Sequence, residues 1–565
     1  MAEGSGLLAA EAYLRAMKRY GVDALYSVSG TDFPSIVEAY GRAGVDSPDL
    51  PRPLICPHEN LAVAMAHGHA LITGTPQAAM VHVSVGTANM VCGAMNAARD
   101  NVPMLLSAGR TPVTDSDGPA TPHGTRTRFI HWAQEMFDQA STLREAVKWD
   151  YEIRRGEQVE DGLARALEVA SAPPPGPVYL SLPREMLAEE VHPDRPARAP
   201  TVSARLAPDL EAIDRLAAAV RAAETPMIVT ANLGRSAAAA ALAESLADLW
   251  AIPVVEFNPR VVNLPHDHPM HLGFDTGRAM GGVDLVINIA CDVPWVPAVT
   301  RPAFQGALWE IGLDPVHARY PMRSFHAQGA ITAEPALALA ALLEALGPVG
   351  DAGPRVDARR RRTTEAHGRM RAALDAEAAG DRMTAASASK ALAALLPHDA
   401  TVVNEYSFRV NQARFSRPGQ FFGASPAGGL GRGFGAALGM RNAGVPGPVV
   451  CMMGDGAYMF NNPSACHWAS EAHGLPILSV IFNNRRWGAV RNSTLAMYGQ
   501  GASAADDGMF MADLSPSIDH VMLAKAHGAH AEGCGELAAL PGVVERALDA
   551  LGQGKQALIA LDLPE

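Results

Sequence analysis

The run VVCMMGDGAYMFNN, from Val449 to Asn462, sets one carboxylate, Asp455, between two glycines at the end of an apolar strand. The next strand-like run, LPILSVIFNN, ends in Asn483-Asn484. A strand ending in Gly454-Asp455-Gly456 delivers the carboxylate to its carboxyl end. The flanking glycines let backbone approach a ligand closely and leave N–H groups free for phosphate oxygens. If the two strands are neighbours joined through a helix, their ends meet. One aspartate, one asparagine carbonyl and a backbone carbonyl, completed by phosphate oxygens and water, make the hard oxygen environment that magnesium takes. A diphosphate ligand is implied. Gly-Asp-Gly alone is a common turn and Asn-Asn a common strand end; the pair, each on a strand end, carries the chemistry.

A rival lies in GGLGRGFGAALG, Gly428 to Gly439, which has the glycines of a dinucleotide loop. Its spacing is not GxGxxG, no acidic residue ends a following strand in the ribose position, and Asp455 would be left without a role. A dehydrogenase of the nicotinamide class is disfavoured. The histidines of PHDHPMHLGF (His266, His268, His271) suggest a metal, but in a proline-rich loop they read as solvated or capping residues.

The elements that must position Asp455 follow from patterning. Short valine-, isoleucine- and leucine-rich runs alternate with alanine-rich helical stretches, the pattern of an α/β chain with mainly parallel sheets flanked by helices. Polar, proline-rich seams near 189–208 and 347–370 divide it into three domains, 1–190, 205–347 and 380–565. The basic run Arg359 to Arg362 falls in the second seam and reads as a solvated linker. LPILSVIFNN parallels VPMLLSAG, and KQALIALDLP parallels PGPVYLSLP, in the same order, so the first and last domains read as duplicates. Two similar sheets ending in Gly-rich turns suggest a ligand held between them, at the carboxyl ends of their strands.

Composition sets the limits. The 565 residues are 48% hydrophobic and 19% charged, with a net charge of −13. That suits a globular, multi-domain chain and disfavours a general nucleic-acid binder. No apolar run reaches membrane-spanning length, the start reads as an amphipathic helix, and the six scattered cysteines suit reduced thiols; a cytoplasmic protein is expected.

With these motifs placed, the chain resembles the thiamine diphosphate superfamily of acetolactate synthases, pyruvate oxidases and 2-oxo acid decarboxylases, nearest to acetolactate synthase-like proteins. The resemblance implies a pyrimidine-binding domain, a central domain and a diphosphate-binding domain, in a homodimer or homotetramer with active sites at the dimer interface. It implies thiamine diphosphate and Mg2+ as cofactors. Gly454, Asp455, Gly456, Ala457 and Asn484 would bind the diphosphate end, with magnesium held by Asp455, the Asn484 side chain and the Arg486 backbone carbonyl. In CPHENLAVAMAHGHAL, Glu59 matches the family glutamate that sits against N1′ of the aminopyrimidine and helps to move a proton. In SPAGGLGRGFG, Gly428 matches the acceptor for the 4′ amino group and Leu430 the wedge that bends the cofactor.

Substrate-facing candidates are Thr31, with Asp32 beside it, in YSVSGTDFP, His82 in VHVSVGTANMV, and Gln134 in WAQEMFDQ. His82 falls where benzoylformate decarboxylase-like enzymes place a histidine, and Gln134 resembles a glutamine of acetolactate synthases. Ser493 stands where those synthases carry a pocket-shaping tryptophan, and TPHGTRTRFIHW also departs from them, which argues against a straight acetolactate synthase. The expected reaction is decarboxylation of a 2-oxo acid, with release of an aldehyde or carboligation to a second carbonyl. The alternatives are a lyase of a 2-hydroxyacyl-CoA or acyloin, and a non-catalytic binding or regulatory subunit. The end of the sequence at ALDLPE, soon after the last strand, lowers the CoA reading. FAD or ADP in the central domain stays open, and neither nucleic acid nor membrane is expected as a partner.

Overall fold

Runs that are apolar on both sides of the pleat become inner strands of parallel sheets, because helices cover both faces. Gln77–Val81 and Pro177–Pro183 are buried along their whole length. They belong to a six-stranded sheet whose spatial order is Arg52–Ile55, Ala24–Ser27, Gln77–Val81, Met104–Arg110, Pro177–Pro183, Asp150–Glu152. Every pairing in it is parallel.

The computed structural model describes residues 6–117, 123–191, 199–301, 303–506 and 509–563. The chain divides into two compact units. One takes Met1–Ser203, Ser425–Gly533 and Arg546–Ala560; the other takes Ala204–Ala424, Cys534–Glu545 and Leu561–Glu565.

In the first unit, Val449–Gly454 pairs in parallel with Leu478–Asn483, with Gly454 opposite Phe482. The order continues with Ala557–Asp562 and then His530–Cys534, so the last strand lies inside the penultimate one. The strands from Gln77 to Pro183 follow the same order, in keeping with the expected duplication. The helix Glu59–Thr73 crosses the helix Gly433–Asn442 at small residues. A Cβ on Gly68 would come within 2.0 Å of the Ala436 carbonyl oxygen, and one on Gly439 within 1.9 Å of that of Met65. Backbones so close leave no room for side chains. Gly74, at φ 71, ends the first of these helices in the left-handed conformation.

The second unit holds five parallel strands in the order Val254–Glu256, Pro226–Thr230, Leu285–Ile289, Ala307–Gly312, Gly329–Thr332. Its core gathers Trp250, Leu216, Ile228, Ile287 and Leu339. The seam read as a linker is instead a helix, Gly353–Glu377. Arg359 in it is 1% exposed. Its guanidinium donates to the carbonyls of Val220, Ala223 and Trp250, at the carboxyl ends of two helices. A cation at helix C-termini satisfies acceptors that the helices leave bare.

The histidine loop also differs from expectation. His268 does cap, its Nδ1 accepting from the Met270 N–H at 3.1 Å, but His266 and His271 are buried. Among the described residues all six cysteines are free, and no single helix is long and apolar enough to cross a membrane.

Candidate active site

Glu59 is the first residue of its helix. His58 caps that helix, its Nδ1 accepting from the Asn60 N–H at 3.1 Å. The Glu59 side chain is buried, and its Oε2 accepts from Asn89 Nδ2 at 3.0 Å. Gly86 supplies the space beside it, since a Cβ there would stand 3.3 Å from Glu59 Oε1. Asn60 Nδ2 donates to the Gly431 carbonyl at 2.6 Å, and Asn96 Nδ2 to that of Gly429 at 3.0 Å. The Glu59 helix and the Gly-rich turn are thus fastened together within one unit. In that turn Gly428 (φ 68) and Gly431 (φ 88) are left-handed and Leu430 is half-buried between them.

His82 follows the strand Gln77–Val81, and its Nδ1 stands 2.5 Å from Asp32 Oδ1. Asp32 Oδ2 accepts from the Val83 N–H at 3.2 Å. Val83, with φ 30, is a β-branched residue in the left-handed region, a strained conformation that this bond helps to hold. Gln134 Nε2 lies 3.3 Å from His82 Nε2, and Gln134 Oε1 is buried without a hydrogen-bond partner. The hydrogen bond to Asp32 is the main reason that the His82 pKa is raised; burial opposes it, and Gln134 and Glu59 add to it. With the Nδ1 proton directed at Asp32, Nε2 accepts from the amide of Gln134. Once Nε2 is protonated, that amide must turn so that its unpartnered oxygen accepts. Thr31 is exposed in the same turn as Asp32.

Asp455 opens the helix Asp455–Phe460 and is 4% exposed. Burial raises its pKa, against hydrogen bonds from backbone N–H groups that include those of Gly456 and Arg485. Gly454 is the N-cap and Ala457 is buried one turn on. Gly456 lies against the Trp487 ring, where a Cβ would come within 2.3 Å. Asn484 Oδ1 accepts from the Arg486 N–H at 3.1 Å, and the Arg486 carbonyl accepts from the Gly488 N–H at 3.0 Å. Each oxygen keeps a second lone pair. A buried aspartate whose burial outweighs its donors, beside two such oxygens, is a donor set that fits magnesium.

The structure brings Glu59, the Gly-rich turn, His82 and Gln134 into one unit with Asp455 and Asn484. Asn89 and Asn96 are not legible in the sequence, because nothing in their spacing signals the contacts they make with Glu59 and with the Gly429 turn.

The family is settled by comparison. Residues 8–142 match the thiamine pyrophosphate enzyme N-terminal TPP binding domain, and residues 404–560 match the C-terminal TPP binding domain. The chain belongs to the thiamine pyrophosphate enzymes, of the 2-oxo acid decarboxylase and acetolactate synthase type. Among curated relatives it is 26% identical to a benzoylformate decarboxylase of Pseudomonas aeruginosa, over 94% of this chain and 95% of that one. It is 25% identical to an acetolactate synthase large subunit of Mycobacterium tuberculosis (96% and 94%). A sulfoacetaldehyde acetyltransferase of Rhodobacter capsulatus is 24% identical (97% and 91%). Among solved structures, benzoylformate decarboxylase from Polynucleobacter necessarius shares the fold at a TM-score of 0.78 and 20% identity, covering 99% of both chains.

Proposed function

We propose that this chain is a thiamine diphosphate- and magnesium-dependent enzyme that decarboxylates a 2-oxo acid and then releases an aldehyde or joins the fragment to a second carbonyl. One observation carries the reading. The helix that begins with buried Glu59 is hydrogen-bonded through Asn60 to Gly431 of the Gly-rich turn, in the same unit as buried Asp455 and half-buried Asn484.

Thiamine diphosphate, when bound, supplies a nucleophilic carbon and an electron sink for the bond to the departing carboxylate. Glu59, its carboxyl steadied by Asn89, would hold the aminopyrimidine and share a proton with it. Leu430 would pack against the cofactor as the wedge, and the Gly428 carbonyl would accept from its 4′ amino group. Asp455, the Asn484 side chain and the Arg486 carbonyl would hold magnesium, and Gly454, Gly456 and Ala457 would line the diphosphate. His82, its pKa raised by the bond to Asp32, gives a proton to the substrate side and, in its neutral form, takes one from it, while Gln134 and Thr31 line that side. The domains at 1–190, 205–347 and 380–565, and a homodimer or homotetramer in the cytoplasm, belong to the same reading.

The test is a screen with thiamine diphosphate and magnesium present, across pyruvate, larger aliphatic and aromatic 2-oxo acids, and acyloins. Carbon dioxide and carbonyl products are followed together. Carbon dioxide from one oxo acid is the expected result, and a coupled product would add carboligation. Silence across all oxo acids, with the cofactor bound, overturns the reading in favour of a lyase.

A further inference from the structure

We propose that Glu256, His266 and His271 form a buried divalent-cation site in the second unit, of the kind that takes zinc. Glu256 ends the edge strand Val254–Glu256. The loop after it folds back along the same strand. Val254 N–H donates to the Met270 carbonyl, Leu272 N–H to that of Val254, and Glu256 N–H to that of Gly273. This return sets both histidines beside the glutamate, and one ligand atom from each of the three lies within 4.8 Å of the others.

The three are 0%, 1% and 1% exposed. His266 Nε2 makes no hydrogen bond, and His271 Nε2 stands 3.5 Å from Glu256 Oε1, at the outer limit of one. A buried polar atom left without a partner is costly, so a bare imidazole nitrogen in this cluster points to a ligand shared with the carboxylate and the second ring. Phe274 packs 5.1 Å from each imidazole, and Phe415 5.7 Å from that of His266, which walls off the cluster.

The surrounding bonds orient the donors, as partners outside a metal's own ligands do. Glu256 Oε1 accepts from the N–H groups of Asn263 and Leu264 at 3.1 and 2.9 Å, and Oε2 from Asn263 Nδ2 at 3.0 Å. His266 Nδ1 faces the Ala413 carbonyl at 3.3 Å, which puts the ring proton there and leaves the Nε2 lone pair bare. His271 Nδ1 accepts from the Gly273 N–H at 3.1 Å, so its proton sits on Nε2, towards Glu256. A bound cation takes the place of that proton, which leaves to solvent or moves to Nδ1 as the Gly273 bond opens. Two imidazole nitrogens and a carboxylate select zinc over magnesium, with one enclosed water as the fourth ligand. The site would tie the return loop to the edge strand, and it is separate from the thiamine chemistry.

The test uses tag-free full-length protein with thiamine diphosphate and magnesium, incubated with zinc and dialysed, then analysed for metal by mass spectrometry. We expect about one zinc per chain, with a fall of at least about tenfold in His266→Gln and in Glu256→Gln. Asp455→Ala keeps its zinc. Absence of zinc from the wild type overturns the proposal, as does zinc retained by folded His266→Gln or lost from Asp455→Ala. If neither cluster variant folds, cobalt-loaded wild type decides: visible bands of mixed nitrogen and oxygen ligation support the site, and a colourless protein refutes it.

Discussion

His82 takes its character from two neighbours on separate elements, Asp32 on Nδ1 and Gln134 at Nε2. Its raised pKa means that the charged ring persists above the ordinary histidine range. The stability it contributes is complete below the unfolded value and is lost as pH rises through the raised folded value. The same ionisation should set the alkaline limb of kcat/KM. In Gln134→Glu that limb moves to higher pH and in Gln134→Leu to lower, while His82→Asn flattens it and costs about a hundredfold in kcat; pH–rate profiles check all three. Glu59→Gln should still bind thiamine diphosphate, measured by calorimetry, yet lose at least about a hundredfold in turnover. Undiminished activity would remove Glu59 from the proton path. Glu59, His82 and Gln134 could be picked from local motifs. Asn89 and the bond from Asp32 to His82 could not, because they join residues far apart in sequence.

At the scale of elements, the crossing of Glu59–Thr73 with Gly433–Asn442 rests on absent side chains. Gly439→Ala would press a methyl onto the Met65 carbonyl. It should cost about 1–3 kcal/mol of stability, read by denaturant unfolding, and should weaken cofactor binding in the same protein. Arg359→Met should cost about 2–4 kcal/mol, since three carbonyls at helix ends lose their donor. The inner strands were legible because they are apolar on both faces. The helix Gly353–Glu377 was not, because its charged, proline-led sequence resembles a linker and only the fold reveals that Arg359 turns inward.

For the whole molecule, the sequence discloses three α/β stretches but not that Ser425–Gly533 and Arg546–Ala560 join the first of them in one unit, since chain order carries no record of which segments meet. Ligand linkage should expose that unit. Thiamine diphosphate with magnesium at about a hundred times its Kd would stabilise the protein by about 2.7 kcal/mol, seen as a rise in Tm, and Asp455→Ala should abolish the rise. Because the Asp455 pKa is raised, its ionised form burdens the fold as pH rises through that value, and a dication relieves the burden. The magnesium-dependent part of the shift should therefore be largest near neutral pH and fade in acid.

Gly30 and Gly109 carry a consequence for anyone who redesigns this pocket. Neither has the positive φ that usually explains an obligatory glycine. A Cβ on Gly30 would lie 2.2 Å from His82 Nδ1, and one on Gly109 would lie 1.9 Å from Asp32 Oδ2. Together they are a mould around the histidine–aspartate pair. A saturation library should find both positions closed even to alanine, so variants that widen substrate scope have to come from Thr31, Gln134 and their neighbours, where the walls carry side chains that can be exchanged.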